Sequence, residues 1–313
     1  MPVRHAFLFL CLFLGFASPS LSGETLRIAT YNVKNYNLEY RFIDGRREAA
    51  YPKPEQEKTA LRQVIKTLNA DVLALQEIGG APFVAELQSD LAREGCTYPH
   101  SVTLPGPDEK RQLAILSRRP FTAVHRFSEI PVRYRKTDGL VSRGLLGIDI
   151  QTAQGPLTVY TLHLKSRLTT EKSDPAAAAQ RLAEAKAIQQ TIARQQSTAQ
   201  EKNFLLLGDC NDSPTSLPLR HLVQAQRKSP FLLLLEPIDS RGEVWTYHNV
   251  RDGFYSRSDY LLISPALQPF LRQNAILDAP ETHPASDHRP VFLDLEFPLP
   301  PLPESSLQNP PAP

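Results

Sequence analysis

Six short apolar runs in this chain carry oxygen- and nitrogen-bearing side chains at one end. LRIATYN closes on Asn32, DVLALQE on Glu77, LTVYTLHLKS on His163 and Lys165, and NFLLLGDCND on Asp209 and Asn211. SDYLLIS opens with Ser258 and Asp259, and SDHRPVFLDLEF opens with Ser286, Asp287 and His288. Carboxylates and amides are hard oxygen ligands that suit Mg2+, with Mn2+ or Ca2+ as substitutes, whereas zinc sites recruit more His or Cys. With two histidines beside them, the set suits phosphate-ester hydrolysis, in which a cation offsets anionic charge while imidazole and carboxylate handle protons. Any one of these residues alone says little, because a single Asp or Asn after a strand is usually a turn former. Their shared place at strand ends is what points to a site.

The elements must bring those ends together. If the first four strands run one way and the last two the other, every polar end falls at one rim, which predicts mixed, partly antiparallel sheets. Alternation along a strand assigns the faces. Leu205, Leu207, Asp209 and Asn211 share one side of their strand and Cys210 takes the other. By the same rule Ile28 goes with Asn32, Leu75 with Glu77, and Thr161 with His163 and Lys165. Adjacent Asp287 and His288 would diverge in a regular strand, so an irregular turn is expected there. Helices are predicted over 54–69, 81–93, 174–196 and 216–227, the third with Ser173 or Asp174 as cap and Pro175 in its first turn. Helices alternating with strands make an α/β (α+β) chain.

At 313 residues and 41% hydrophobic content, the chain is long enough for one large domain. Its 35 basic and 33 acidic residues nearly balance, so overall charge neither demands nor excludes a nucleic-acid partner. Arg4 and His5 precede an apolar stretch from Ala6 to Ala17 and then small residues up to Gly23, the order of a secretory signal peptide over 1–22. That stretch is short for a bilayer span, so a secreted or periplasmic monomer with no stable membrane anchor is expected. Residues 24–297 form one domain, and the proline-rich 298–313 a disordered tail. Cys210, inside an apolar run, is expected as a free thiol rather than a partner of Cys96.

The motifs TYNVKNYN, LALQEI, LAILSRRP, HLKS, GDCND, SDYLLIS and SDHRPV, in that order over the whole mature domain, resemble those of the endonuclease/exonuclease/phosphatase superfamily. That group includes deoxyribonuclease I, exonuclease III, neutral sphingomyelinases and inositol polyphosphate phosphatases. The resemblance implies a four-layer sandwich, two mixed β-sheets packed face to face with helices on the outer faces. It implies Glu77 and Asp287 as the main metal ligands with Asn32 beside them, and Asp209 with Asn211 as the pair that activates and positions water or steadies the scissile phosphate. His288 would lie near the phosphate, oriented by Asp259, and His163 would be a second histidine contacting it.

In the deoxyribonuclease branch a glutamate before the AILSR-like segment pairs with the histidine matching His163. Here the stretch is DEKRQLAILSR, with Arg111 near that place, so either Glu109 substitutes or Arg111 binds phosphate itself. Arg143 and Lys165 are further candidate phosphate clamps. The expected activity is metal-dependent hydrolysis of a phosphate ester, with DNA or RNA as the first substrate class and a phosphatase or sphingomyelinase-type reaction as the second. A non-catalytic adaptor would show broken motifs, and these are intact. The segment from Arg41 to Lys53 reads as a solvated connection, Arg181 as solvent-facing, and Trp245 and Tyr247 as strand packing. No long exposed hydrophobic hairpin, which a lipid substrate would favour, is evident.

Overall fold

The computed structural model describes residues 23–197, 203–224 and 231–299. The expected leader, residues 225–227 of the fourth predicted helix, and all but the first two residues of the expected tail lie outside them. β1 (Glu24–Tyr36) leads into a hairpin of β2 (Glu39–Ile43) and β3 (Arg46–Tyr51), then α1 (Glu55–Leu68), β4 (Val72–Ile78) and α2 (Ala81–Arg93). There follow β5 (His100–Leu104), β6 (Gln112–Ser117), β7 (Ala123–Phe127), a hairpin of β8 (Pro131–Tyr134) and β9 (Thr137–Leu140), β10 (Leu145–Thr152) and β11 (Gly155–His163). The second half holds α3 (Ala178–Ser197), β12 (Phe204–Asp209), α4 (Leu217–Val223), β13 (Leu233–Leu234) and a hairpin of β14 (Tyr247–Asn249) and β15 (Phe254–Ser256). It ends with β16 (Asp259–Ile263), β17 (Leu271–Ile276), α5 (Thr282–Ala285) and β18 (Val291–Phe297).

Two six-stranded sheets result, in the orders β17-β18-β1-β4-β6-β5 and β13-β16-β12-β11-β10-β7. β1 and β4 are parallel, as are β11 and β12, while β18 runs antiparallel to β1 and β16 to β12. These are the strand directions the rim requires. Side-chain alternation then makes three apolar layers. Ile28, Ala74, Val159, Leu205, Leu207 and Leu261 pack between the sheets. Ala29, Leu73 and Leu75 turn outward onto α1 and α2, and Leu206, Leu262 and Cys210 turn outward onto α3 and α4. The fold is the expected four-layer sandwich. Each fully buried leucine or isoleucine stabilises it by about 2 kcal/mol.

Local chemistry fixes the helix ends. Glu55 and Glu57 in the first turn of α1 and Lys66 in its last complement the helix dipole, and Asn69 closes it in a left-handed conformation (φ 47°). α3 begins later than predicted. Residues 175–177 form a separate 3-10 turn, with positive φ at Ala176 and Ala177, and the Asp174 carboxylate accepts the N–H groups of Ala179 (2.9 Å) and Gln180 (3.0 Å). The Arg181 guanidinium donates to the carbonyl of Ala176 (2.9 Å) within this turn. α4 stops at Val223 because Gln224 is extended. Cys96 and Cys210 are free and buried.

Gly208 lies on β12 directly opposite Leu162 of the parallel strand β11. Its φ is +140°, and a Cβ there would meet the Leu162 carbonyl oxygen at 2.1 Å. Neither the contact nor the conformation admits another residue. Gly208→Ala is expected to lower unfolding free energy by about 3 kcal/mol or more, from overpacking and backbone strain together. Urea unfolding checks this, and a change under about 0.5 kcal/mol contradicts it.

Candidate active site

Above the dry inter-sheet core the interior becomes polar one layer at a time. Thr30 donates to Gln76 (3.0 Å), and Gln76 donates across the sheets to Thr161 (2.9 Å), all three buried. One step further out, Asn32 of the first sheet donates to Asp209 of the second at 3.0 Å. Pairing places His163 opposite Asp209, and Asp209 opposite Asp259. Gln76 was not a candidate from sequence, although a glutamine at an inward position of DVLALQE is its signal.

Glu77 reaches the rim against the alternation rule. Sharing the face of Leu75 would have turned it toward the helices. Instead the β4–β6 ladder slips between Gln76 and Ile78, and Glu77 takes φ +65°. Strain of this kind costs about 1–3 kcal/mol and gathers at functional sites. The carboxylate now accepts from Asn32 (3.3 Å) and from the backbone N–H of Asn35 (3.0 Å). Asn211 also departs from the strand, at φ 51°, and returns its N–H to Asp209 Oδ1 (2.8 Å) and its amide to Asp209 Oδ2 (3.2 Å). A turn, rather than strand alternation, brings it to Asp209.

His288 lies in the expected irregular segment, between α5 and β18. Its Nδ1 is 2.8 Å from Asp259 Oδ2, and its Nε2 is 3.9 Å from Asp209 Oδ2. Burial alone would lower this imidazole, but Asp259 and Asp209 outweigh burial and raise it to about 10, so it carries a proton at neutral pH. Asp209 goes the other way from most carboxyls: burial, reinforced by Asp259 and Glu77, raises it to about 7. His163 is held well below its ordinary value by burial and by the nearby cations Arg143 and His288. It is therefore neutral, with Nε2 3.4 Å from Asp209 and a buried Nδ1 that has no partner. No Glu109–His163 bond occurs among the described residues. Asp287 is half-buried, and its backbone carbonyl accepts the N–H of His248.

A cleft of about 1280 Å³ opens over these groups. Arg111, Arg143 and Lys165 line it, as do Tyr247 and Phe254 of the β14–β15 hairpin. Arg143 pairs with Asp108 (2.9 Å) and keeps a buried Nε without a partner, while Arg111 pairs with Glu39 (3.1 Å). Tyr247 does not pack in the core; its ring lies 4.8 Å from that of His288. Trp245 supports the same segment from behind, stacked under the Arg289 guanidinium at 3.5 Å.

Sequence reasoning missed the two residues that hold the basic side in place. Arg181 is buried, not solvent-facing, and donates to Asp212 (2.9 Å) and to the Lys165 carbonyl (3.1 Å). Glu184, fully buried, accepts the backbone N–H groups of Ser142 (3.1 Å) and Lys165 (2.8 Å). The β10–β11 ladder ends at Leu145 and Leu162, so these N–H groups have left the ladder, and the carboxylate ties together the segments bearing Arg143 and Lys165. A buried acid in an alanine-rich helix was the available signal.

The donors fit a divalent cation. Glu77, Asp209, Asp259 and Asp287 bring carboxylates to one rim, Asp259 Oδ1 is buried without a partner, and ligand atoms of Asp209, Asp259 and His288 lie within 4.8 Å of one another. Within that last group the His288 ring is engaged by Asp259 through Nδ1. Glu77 and Asp287 both line the cleft beside that group and offer further hard oxygen donors.

The model of the Endonuclease/Exonuclease/phosphatase family matches residues 29–288, from within β1 to His288. The chain belongs to that family. Members of this family are hydrolases of phosphoesters that depend on divalent metals. No sequence among the curated proteins matches the chain. Among solved structures it is similar to the human Nocturnin catalytic domain with bound sulfate (TM-score 0.61, 16% identity, covering 87% of this chain and 94% of that one). It is similar also to a mannosyl-6-phosphatase of Bacteroides thetaiotaomicron (0.57, 16%, 87% and 100%) and to humanized D. rerio TDP2 (0.55, 14%, 87% and 99%). At such identities the likeness is one of fold.

Arg289, next to His288, gives a pH test of how the rim is held. Burial alone would raise the Asp239 carboxyl, but Arg289 (2.7 Å) and the N–H groups of Glu243 and Arg241 outweigh it and hold it well below the carboxylate range. A carboxyl lowered by folding stabilises the protein above its unfolded value, about pH 4, and that contribution is lost as pH falls through the folded value. Without the cation, buried Asp239 shifts up and the loss begins at higher pH. Urea midpoints followed from neutral to acid pH should fall in Arg289→Met before they fall in the wild type, and superimposable profiles contradict the assignment.

Proposed function

We propose that the protein is a secreted, Mg2+-dependent phosphodiester hydrolase that acts on nucleic acid. The observation that carries this is the company His288 keeps: a proton-bearing ring at a carboxylate rim, with Arg111, Arg143 and Lys165 in the same cleft and the rings of Tyr247 and Phe254 beside it. Cations match a polyanion and exposed rings match flat bases. The leader-like order of residues 1–22 supports secretion.

Glu77 and Asp287, with Asn32 beside them, are the residues that would hold the cation, which supplies charge compensation and a more acidic water when bound. Protonated His288, kept in place by Asp259, donates through Nε2 to a non-bridging phosphate oxygen. Asp209, with an affinity for protons near neutrality, takes the proton of the attacking water, and Asn211 orients that water. With Asp209 as the base, His288 keeps the role of proton donor to the phosphate. The water oxygen forms the new bond to phosphorus as the ester P–O bond breaks, the departing alkoxide takes its proton from solvent water, and Arg143 and Lys165 offset the charge that builds on the phosphate. Neutral His163, buried beside Asp209 with Nε2 3.4 Å from its carboxylate, positions that base.

Monoester hydrolysis is the second reading, favoured by the likeness to the mannosyl-6-phosphatase. One assay separates them: the purified mature protein with Mg2+, Mn2+ or chelator against DNA, RNA, sphingomyelin and phosphate monoesters. Metal-dependent cleavage of DNA or RNA is expected, falling by about 10²–10⁴-fold in His288→Ala. Hydrolysis of monoesters alone, or unchanged turnover in the variant, overturns the proposal.

A further inference from the structure

The segment after β1 is solvent-exposed over most of its length, as its sequence suggested, but it is an ordered hairpin rather than an irregular connection. β2 and β3 pair as a hairpin closed by Asp44 and Gly45, both in left-handed conformations. Its inner face is fastened to the cleft wall: Glu39 accepts from Arg111 (3.1 Å), and Arg41 donates to the Asn35 carbonyl (2.7 Å). Arg111 and Asn35 both line the cleft. The outer face is different. Tyr40 and Phe42, two residues apart, are 61% and 76% exposed. Arg47 lies directly across from Phe42 and covers the Tyr40 ring at 4.9 Å, and Lys110 lies 5.9 Å from the same ring.

Alternation sorts the charges. The hairpin's carboxylates fall in the turn, at Asp44, or on the opposite face, at Glu39 and Glu48, which pairs across from Arg41. The outer face is thus two exposed rings and a cation with no acid among them. Arg47 forms no ion pair among the described residues. Rings interleaved with arginine are what a flexible polyanion with flat bases stacks against. An aromatic anchor for a lipid surface would put its rings at the hairpin tip, which here is polar.

We infer that the outer face of this hairpin is a second binding surface, on which single-stranded nucleic acid leaving the cleft stacks its bases on Tyr40 and Phe42 and pairs a phosphate with Arg47. The inference rests on the nuclease reading and makes the preferred substrate a strand of several nucleotides. It also leaves a small diester, which fits within the cleft, indifferent to the hairpin.

The test is the full-length mature protein with Tyr40, Phe42 and Arg47 all changed to alanine, exposed positions whose loss leaves the core intact. Binding of a labelled single-stranded 20-mer in chelator is measured by anisotropy, alongside hydrolysis of bis(4-nitrophenyl) phosphate and sedimentation with anionic phospholipid vesicles. The expected result is a Kd for the 20-mer weakened about tenfold or more, with hydrolysis of the small diester unchanged. Equal affinity in the two proteins overturns the inference, as does a variant that keeps the 20-mer and loses vesicles. Failure of the wild type to cleave nucleic acid while cleaving the small diester sinks the nuclease reading separately.

Discussion

Several ionisable groups taken out of water at one rim set the terms for everything else in this molecule. Asp209 and Asp259 are almost wholly buried, Glu77 is close by, and each isolated charge in such a place would cost several kcal/mol. The protein answers with a proton on His288, with amide donors from Asn32 and Asn211, and with a neutral His163. The carboxylates still outnumber the cation at the rim. That residual charge is the physical reason to expect a divalent ion there.

The scaffold makes the crowding tolerable by holding each charge on a separate support. Asn32 and Glu77 ride on one sheet, His163, Asp209 and Asp259 on the other, and Asp287 and His288 on the turn before β18. The apolar face between the sheets keeps the strands rigid up to the Gln76–Thr161 bridge, beyond which side chains become polar. Around the rim a second ring of buried ions fixes the loops: Glu184 and Arg181 on the side of Lys165, and Arg289 with Asp239 on the side of His288. Rigid supports of this kind let a site hold groups that repel one another.

Much of this was legible from strand periodicity. The polar ends of six apolar runs, the antiparallel return of β16 and β18, and the outward turn of Cys210 all follow from period two and a shared rim. What stayed hidden was decided by tertiary partners. Glu77 reaches the site through a bulge that no pattern announces, and Asn211 reaches Asp209 through a left-handed turn. Arg181 looks like any surface arginine until the carbonyls of Lys165 and Ala176 are seen around it. The β2–β3 hairpin was missed because mixed charges between two rings read as loop, when alternation in fact sends the charges and the rings to different faces.

We propose that Glu77, turned inward at the cost of backbone strain, completes a divalent-cation site with the neighbouring oxygen donors. Calorimetric titration of Mg2+ and Mn2+ into the wild type and Glu77→Gln tests it without reference to any substrate. Saturable binding by the wild type, weakened about tenfold or more in the variant, is the predicted result. Equal affinity in both proteins, or no saturable binding by the wild type, would contradict it.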